Sequence, residues 1–333
     1  MAKMKYKFTL VVLALLLIYV LPKAHSQNYT LKLNSSIPLP NVLGRIDHMA
    51  YNNKKQFLYV AALGYNSIEE VDLKNKIVAH SIKGLKEPQG VVYIPENNSI
   101  FAANGNTGEC DFFDADSYVK FKSIKLSSDA DNVRYDSIDN KLYVGYGEGG
   151  MAVIDAVTTD LIKEIKLSGH PESFQIDKTS KRIYVNIPFQ SQIEIIDIEK
   201  AIVTERWKLN QVSANFPMSL DEKDHRLIIG CRDPAKLLVI NTENGNSIAM
   251  HNIDADVDDL FYYAATKQIY LSCGSGFVDI FSQINPDSYT LKEKVPTHRG
   301  ARTSILIPEL NKLIVAVPAS LSTHASLLIF DLK

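Results

Sequence analysis

Leu142-Tyr143-Val144 decides the fold because it recurs. Its counterparts are Leu58-Tyr59-Val60, Ile183-Tyr184-Val185, Ile269-Tyr270-Leu271 and Leu313-Ile314-Val315, and the same phase places Ile100 and Leu227 at the head of two further copies. The first residues of these copies stand 42, 42, 41, 44, 42 and 44 positions apart, so one unit repeats seven times from near residue 44 to residue 333. Short β-branched and aromatic strands at this period spell a β-propeller, with one four-stranded blade per repeat. The expected fold class is all-β: a seven-bladed β-propeller with four antiparallel strands per blade.

Each unit follows one grammar. An inner strand such as His48-Met49-Ala50-Tyr51 leads into a polar hairpin such as Asn52-Asn53-Lys54-Lys55, then into the aligned second strand. A third strand ends in a hydrophobic residue followed by Asp or Asn: Val71-Asp72, Phe113-Asp114, Ile154-Asp155, Ile196-Asp197, Ile240-Asn241 and Phe330-Asp331. One such residue per blade reads as scaffold, because Asp and Asn side chains bond the backbone of the turn that follows them. Outer strands follow at 78–82, 120–126, 161–167, 203–209 and 289–295. The seventh unit stops at Asp331-Leu332-Lys333 without an outer strand, and the stretch from Tyr29 to Ile37 alternates like one. The N-terminal strand is therefore expected to close the last blade and to hide its open edge. The lone tryptophan, Trp207, sits where other blades have Ile82, Ile124 and Ile165, a position that predicts packing between blades.

Of the 333 residues, 46% are hydrophobic and 22% charged, with a formal net charge of −2. That balance lacks the clustered cations that nucleic acid requires. Lys3, Lys5 and Lys7 precede an apolar run of fourteen from Phe8 to Leu21, and Ala24-His25-Ser26 supplies small residues for cleavage. The pattern reads as a signal peptide over residues 1–26, too short to span a membrane, leaving a single domain over 27–333. The expectation is a protein exported to the periplasm or beyond the cell, monomeric, with no membrane span after processing. Cys110, Cys231 and Cys273 show no metal or redox spacing, and equivalent positions in adjacent blades diverge, so they read as buried free thiols.

The Leu-Tyr-Val strand, the Val-Asp or Ile-Asp strand end and the Ile-Lys-Leu outer strand resemble the YVTN-type (YncE-like) seven-bladed propellers of exported bacterial proteins. The resemblance covers residues 28–333 and speaks to architecture. More distantly, the architecture is similar to propeller lactonases and to metal-dependent propeller lyases. Function must be argued from a site, because one fold hosts many activities.

A repeat carries its own control: positions that obey it are scaffold, and positions that break it are free to acquire a role. The loops entering the inner strands break it. They include Gly44-Arg45-Ile46-Asp47-His48, Glu87-Pro88-Gln89-Gly90, Asp129-Ala130-Asp131-Asn132, Gly169-His170-Pro171-Glu172-Ser173 and Asp254 to Asp259. In a propeller these loops ring one mouth of the central channel, joined there by loops between second and third strands such as Arg232-Asp233-Pro234-Ala235-Lys236. Charges that merely neutralise one another round a wet channel are the plainest reading. Two functional readings stand beside it. Arg45, Asp47, Gln89, Arg232 and Arg302 form a binding set, the arginines acting as forks for a carboxylate or sulfate. Asp131, Asn132, Glu172 and Asp258 form an oxygen-rich set for a divalent cation such as calcium. The leading expectation is a binding or interaction module for a small anionic or zwitterionic ligand or a protein partner. The alternative is a metal-assisted lactonase-like hydrolase or lyase on the same face, with His48 or His170 carrying the proton.

Overall fold

The computed structural model describes residues 30–321 and 323–333. The segment read as a signal peptide, residues 1–26, lies outside the described residues, as does Tyr29. Seven four-stranded antiparallel sheets follow one another along the chain. Among the described residues the helical elements are three single 3-10 turns, at Leu63–Tyr65, Pro188–Gln190 and Pro308–Leu310. Blade 3 shows the plan: inner strand Ala130–Asp136, then Lys141–Tyr146, Gly150–Asp155 and outer strand Leu161–Lys166. The seventh sheet joins Leu31–Pro38 to the outer edge of Ser326–Leu332, so the N-terminal strand closes the last blade.

That strand is a full member of its blade. In the other six blades the outer strand pairs with the third through a register shift at the equivalent place, as at Val153/Ile154 and Ile195/Ile196 just before the strand-end Asp. The N-terminal strand carries the same irregularity between Leu33 and Ser35, opposite Phe330 and Ile329. A bulge at this point bends and twists each outer edge alike.

The strand-end carboxylates do what their position predicts. Asp72 accepts the backbone N–H of Lys74 and Asn75, Asp155 those of Val157 and Thr158, and Asn241 that of Glu243. Asp331 differs, accepting instead from Asn34 and Lys312. The outer strand of blade 5, Ser247–Asn252, carries no clear alternation and is seen only in the structure. Trp207 packs as expected: its ring lies 5.7 Å from that of Tyr184 and covers Gly245 of the next blade.

The core is a ring of layers. Each of the seven hydrophobic clusters draws on two adjacent blades, as where Tyr143, Met151 and Ile165 of blade 3 meet Phe174, Ile183 and Val185 of blade 4. Tyr59, Tyr184 and Tyr270, from the repeated motif, are at most 1% exposed. The three cysteines are buried and unpaired, which suits their apolar surroundings.

Candidate functional site at the channel mouth

The mouth is built from bulges. In blade 3 the inner strand pairs Ala130 with Tyr146 and Val133 with Val144, so Asp131 and Asn132 are the looped-out residues. Gln89 falls in the equivalent shift of blade 2, Phe216 in that of blade 5 and Asp258 in that of blade 6. In blade 1, Ala61 bonds both Asp47 and His48, and in blade 4 Asn186 bonds both Glu172 and Ser173. An extra residue at this end of an inner strand re-aims side chains out of the sheet and into the mouth. The cavity so formed measures about 320 Å³ and is lined by Arg45, Gln89, Asp131, His170, Glu172 and Asp258, together with Arg232 and Arg302.

The arginines are already engaged. Arg45 Nη2 lies 2.8 Å from the buried Asp47 Oδ2. Arg302 reaches Asp256 at 2.8 Å through Nη1 and Asp258 at 2.9 Å through Nε. Arg232 pairs with the other oxygen of Asp258, donates to the Val257 carbonyl at 2.8 Å, and stacks 3.7 Å above the Phe216 ring. The three arginines expected as forks stand in a paired network, in which Asp258 is clamped by two of them. Asn132 is committed too: its Nδ2 donates to His48 Nε2 at 2.9 Å, and its Oδ1 is buried without a partner. So Asp258, expected as a cation ligand, is held by two arginines, whereas in Asn132 only the amide Nδ2 is engaged. Gln89 donates to Asp129 at 2.9 Å.

What the mouth does bring together is Asp131, His170 and Glu172, whose ligand atoms all lie within 4.8 Å of one another. His170 Nδ1 stands 2.7 Å from the Gly147 carbonyl, which can only accept, so this nitrogen carries the proton. Nε2 then faces Asp131 at 3.8 Å and Glu172 at 4.0 Å. An imidazole whose far nitrogen is held by a carbonyl is the usual way a metal-binding histidine is oriented.

Negative charge is in surplus here. Burial, then repulsion from Asp131, holds the Glu172 carboxyl well above the ordinary range, with only His170 pulling it down. Burial likewise raises Asp47, against the pull of Arg45. Burial works against a charged His170, yet the facing Asp131 carboxylate, the bond to the Gly147 carbonyl and the charge of Glu172 raise it to about 9. Phe189 was not singled out from the sequence; it sits on the Pro188–Gln190 turn at the rim of this cavity and is 86% exposed. A large aromatic in a turn between second and third strands was the available signal.

No family model matches the sequence, and no curated protein sequence does either. Solved structures do. The chain is similar to a chain of Kuenenia stuttgartiensis hydrazine synthase, with a TM-score of 0.75 and 15% identity over 92% of this chain and 99% of that one. It is similar to a chain in a crystal structure of the mitotic checkpoint complex, with a TM-score of 0.77 and 15% identity over 97% and 98%. At this identity the likeness shows the fold, a seven-bladed β-propeller.

Proposed function

We propose that this protein is an exported propeller of the YVTN type that acts as a cation-dependent binding module. The cation would sit on Asp131, His170 and Glu172, and its open positions would take the oxygen atoms of a small ligand at the mouth. The clustering of these three side chains carries the reading. The raised Glu172 and Asp47 carboxyls support it, since they mark crowded negative charge that a divalent cation would offset. Two carboxylates and an imidazole form a mixed oxygen–nitrogen set. Such a set suits manganese or zinc better than calcium, which prefers oxygen alone. Phe189 and Phe216 flank the same cavity and offer apolar surface to the body of a ligand. In the hydrolase or lyase reading His48 is the proton carrier, because His170 is then a ligand.

Thermal melting of the purified protein with Mn²⁺, Zn²⁺, Ca²⁺ and Mg²⁺ tests the reading. Mn²⁺ or Zn²⁺ should raise the melting temperature, and Glu172→Gln or His170→Ala should reduce the shift at least threefold. An equal response of wild type and both variants, or no response to any cation, would refute it.

A further inference from the structure

Below the mouth the channel holds a second chamber of about 450 Å³, which shares no lining residue with the mouth cavity. Tyr51, Tyr93 and Tyr135 line both this chamber and the depression at the opposite face, so the two adjoin. One level of the inner strands, the residues paired with Tyr59, Phe101, Tyr143, Tyr184, Ile228, Tyr270 and Ile314, crosses it. The seven blades place Ala50, Val92, Arg134, Gln175, Ser219, Phe261 and Ile305 at that level. Arg134 is the sole charge among them.

The other polar members of the ring are satisfied by the next blade. Gln175 donates to the Met218 carbonyl at 2.8 Å, and Ser219 accepts the N–H of Tyr262 at 3.1 Å. Arg134 is not matched in this way. Its Nη1 donates to the carbonyl of its own neighbour Val133 at 3.0 Å and its Nη2 to Ser173 Oγ at 3.3 Å, with the Phe174 ring 5.5 Å below. No carboxylate among the described residues stands within the 4.0 Å of an ion pair with it. Asp259, the acid of this chamber, instead accepts the Ser304 N–H at 2.6 Å. Arg134 is half-buried, and what exposure it has is to the lumen; burial there depresses its pKa. Asp259 and Asp131 act on it from beyond ion-pair distance without offsetting its burial; an enclosed guanidinium with no direct ion pair is costly, and a carboxylate received by its fork relieves that cost. The rest of the wall is mixed: Tyr93, Tyr135, Leu260, Phe261 and Ile305 offer apolar and aromatic surface between polar residues such as Gln175 and Asp259. The volume lies in the range of small-molecule sites, roughly 300–1,000 Å³.

We infer that the chamber binds a small monocarboxylate with an apolar body, its carboxylate on Arg134 and its aromatic or branched aliphatic part against the tyrosine wall. The site is separate from the mouth and does not depend on a cation.

Isothermal titration of the full protein with benzoate, 4-hydroxybenzoate and 3-methylbutanoate, each set against its amide, tests this. At least one acid should bind, its amide at least tenfold more weakly, and Arg134→Gln should cost at least tenfold in affinity for the acid. Diffraction from crystals grown with 4-bromobenzoate should place the bromine between Tyr93, Tyr135 and Phe261, a readout that needs no variant. Failure of all three acids, equal binding of acid and amide, or bromine density outside the chamber would overturn the inference.

Discussion

Asp279 shows how a buried carboxyl is housed in this ring. It sits on the third strand of blade 6, opposite Leu271, and the same position holds Glu69, Asp111 and Glu194 in blades 1, 2 and 4. Each is buried, and each is tied to its own blade's edge: Glu69 by Ser67 and Ser81, Asp111 by Asn104 and Lys120, Glu194 by Arg206. Asp279 accepts the N–H of Asp254 at 2.8 Å and faces Lys294 at 3.8 Å, with the Asp254 carboxylate and the Cys273 thiol nearby. Burial raises it from 3.8 to about 6, the Asp254 amide and Lys294 holding it back. The native state therefore keeps a proton that the unfolded chain has released between about pH 4 and pH 6, so this residue's contribution to stability falls as pH rises through that window. Asp279→Asn removes the titration. Its melting temperature relative to wild type should climb between pH 4 and pH 7 and then level off. Parallel melting curves across that range would show that Asp279 is not raised. These buried acids were not legible in the sequence, because a single carboxyl inside an apolar strand looks like an outward-facing residue until the packing of the next blade is known.

At the scale of elements, the closing strand carries the most information per residue. Leu31 and Ile37 are 1% and 0% exposed, and Leu39 just beyond the strand is 0% exposed. All seven residue pairs from Leu31↔Leu332 to Pro38↔Ser326 run antiparallel through the shared bulge. Truncating one such side chain to Ala costs about 2–5 kcal/mol, and losing the strand also bares a sheet edge. Deletion of residues 30–39 should give aggregation on size-exclusion chromatography or a large fall in melting temperature. A soluble monomer that melts with the wild type would show that the strand does not hold the blade. This strand was legible because a missing outer strand at residue 331 and a spare alternating segment at the start have only one mutual solution. Ser247–Asn252 was not, because Ile248, Ala249, Met250 and His251 are all half-buried and give no period of two.

At the scale of the molecule, the repeat in the sequence carries the architecture, and the ring's closure carries the site. The mouth residues stand out in the sequence as repeat-breakers, but the sequence leaves their partners open. Their true partners are set by where bulged strand ends meet across the channel: Asn132 finds His48 from 84 residues away, and Arg302 finds Asp256 from 46. No local pattern encodes those distances. Because each of the seven cores lies between two blades, the ring has no privileged starting point except the blade that the two ends share. The ends meet there: Lys333 N donates to the Thr30 carbonyl at 3.0 Å. A circular permutant that joins residue 333 to residue 30 by a short Gly/Ser linker, with new ends between Lys74 and Asn75, moves the closing strand from blade 7 to blade 1. The new ends fall in an exposed turn between third and outer strands, at the face away from the mouth, where breaks are tolerated. It should fold to a monomer that melts within about 5 °C of the wild type and should keep the same cation-induced shift, since the cavity-lining residues stay in place. An insoluble permutant, beside a soluble control carrying the linker sequence as a simple extension, would mean that the pairing of Leu31–Pro38 with Ser326–Leu332 does more than close a sheet. The order in which the blades form would then matter to the fold.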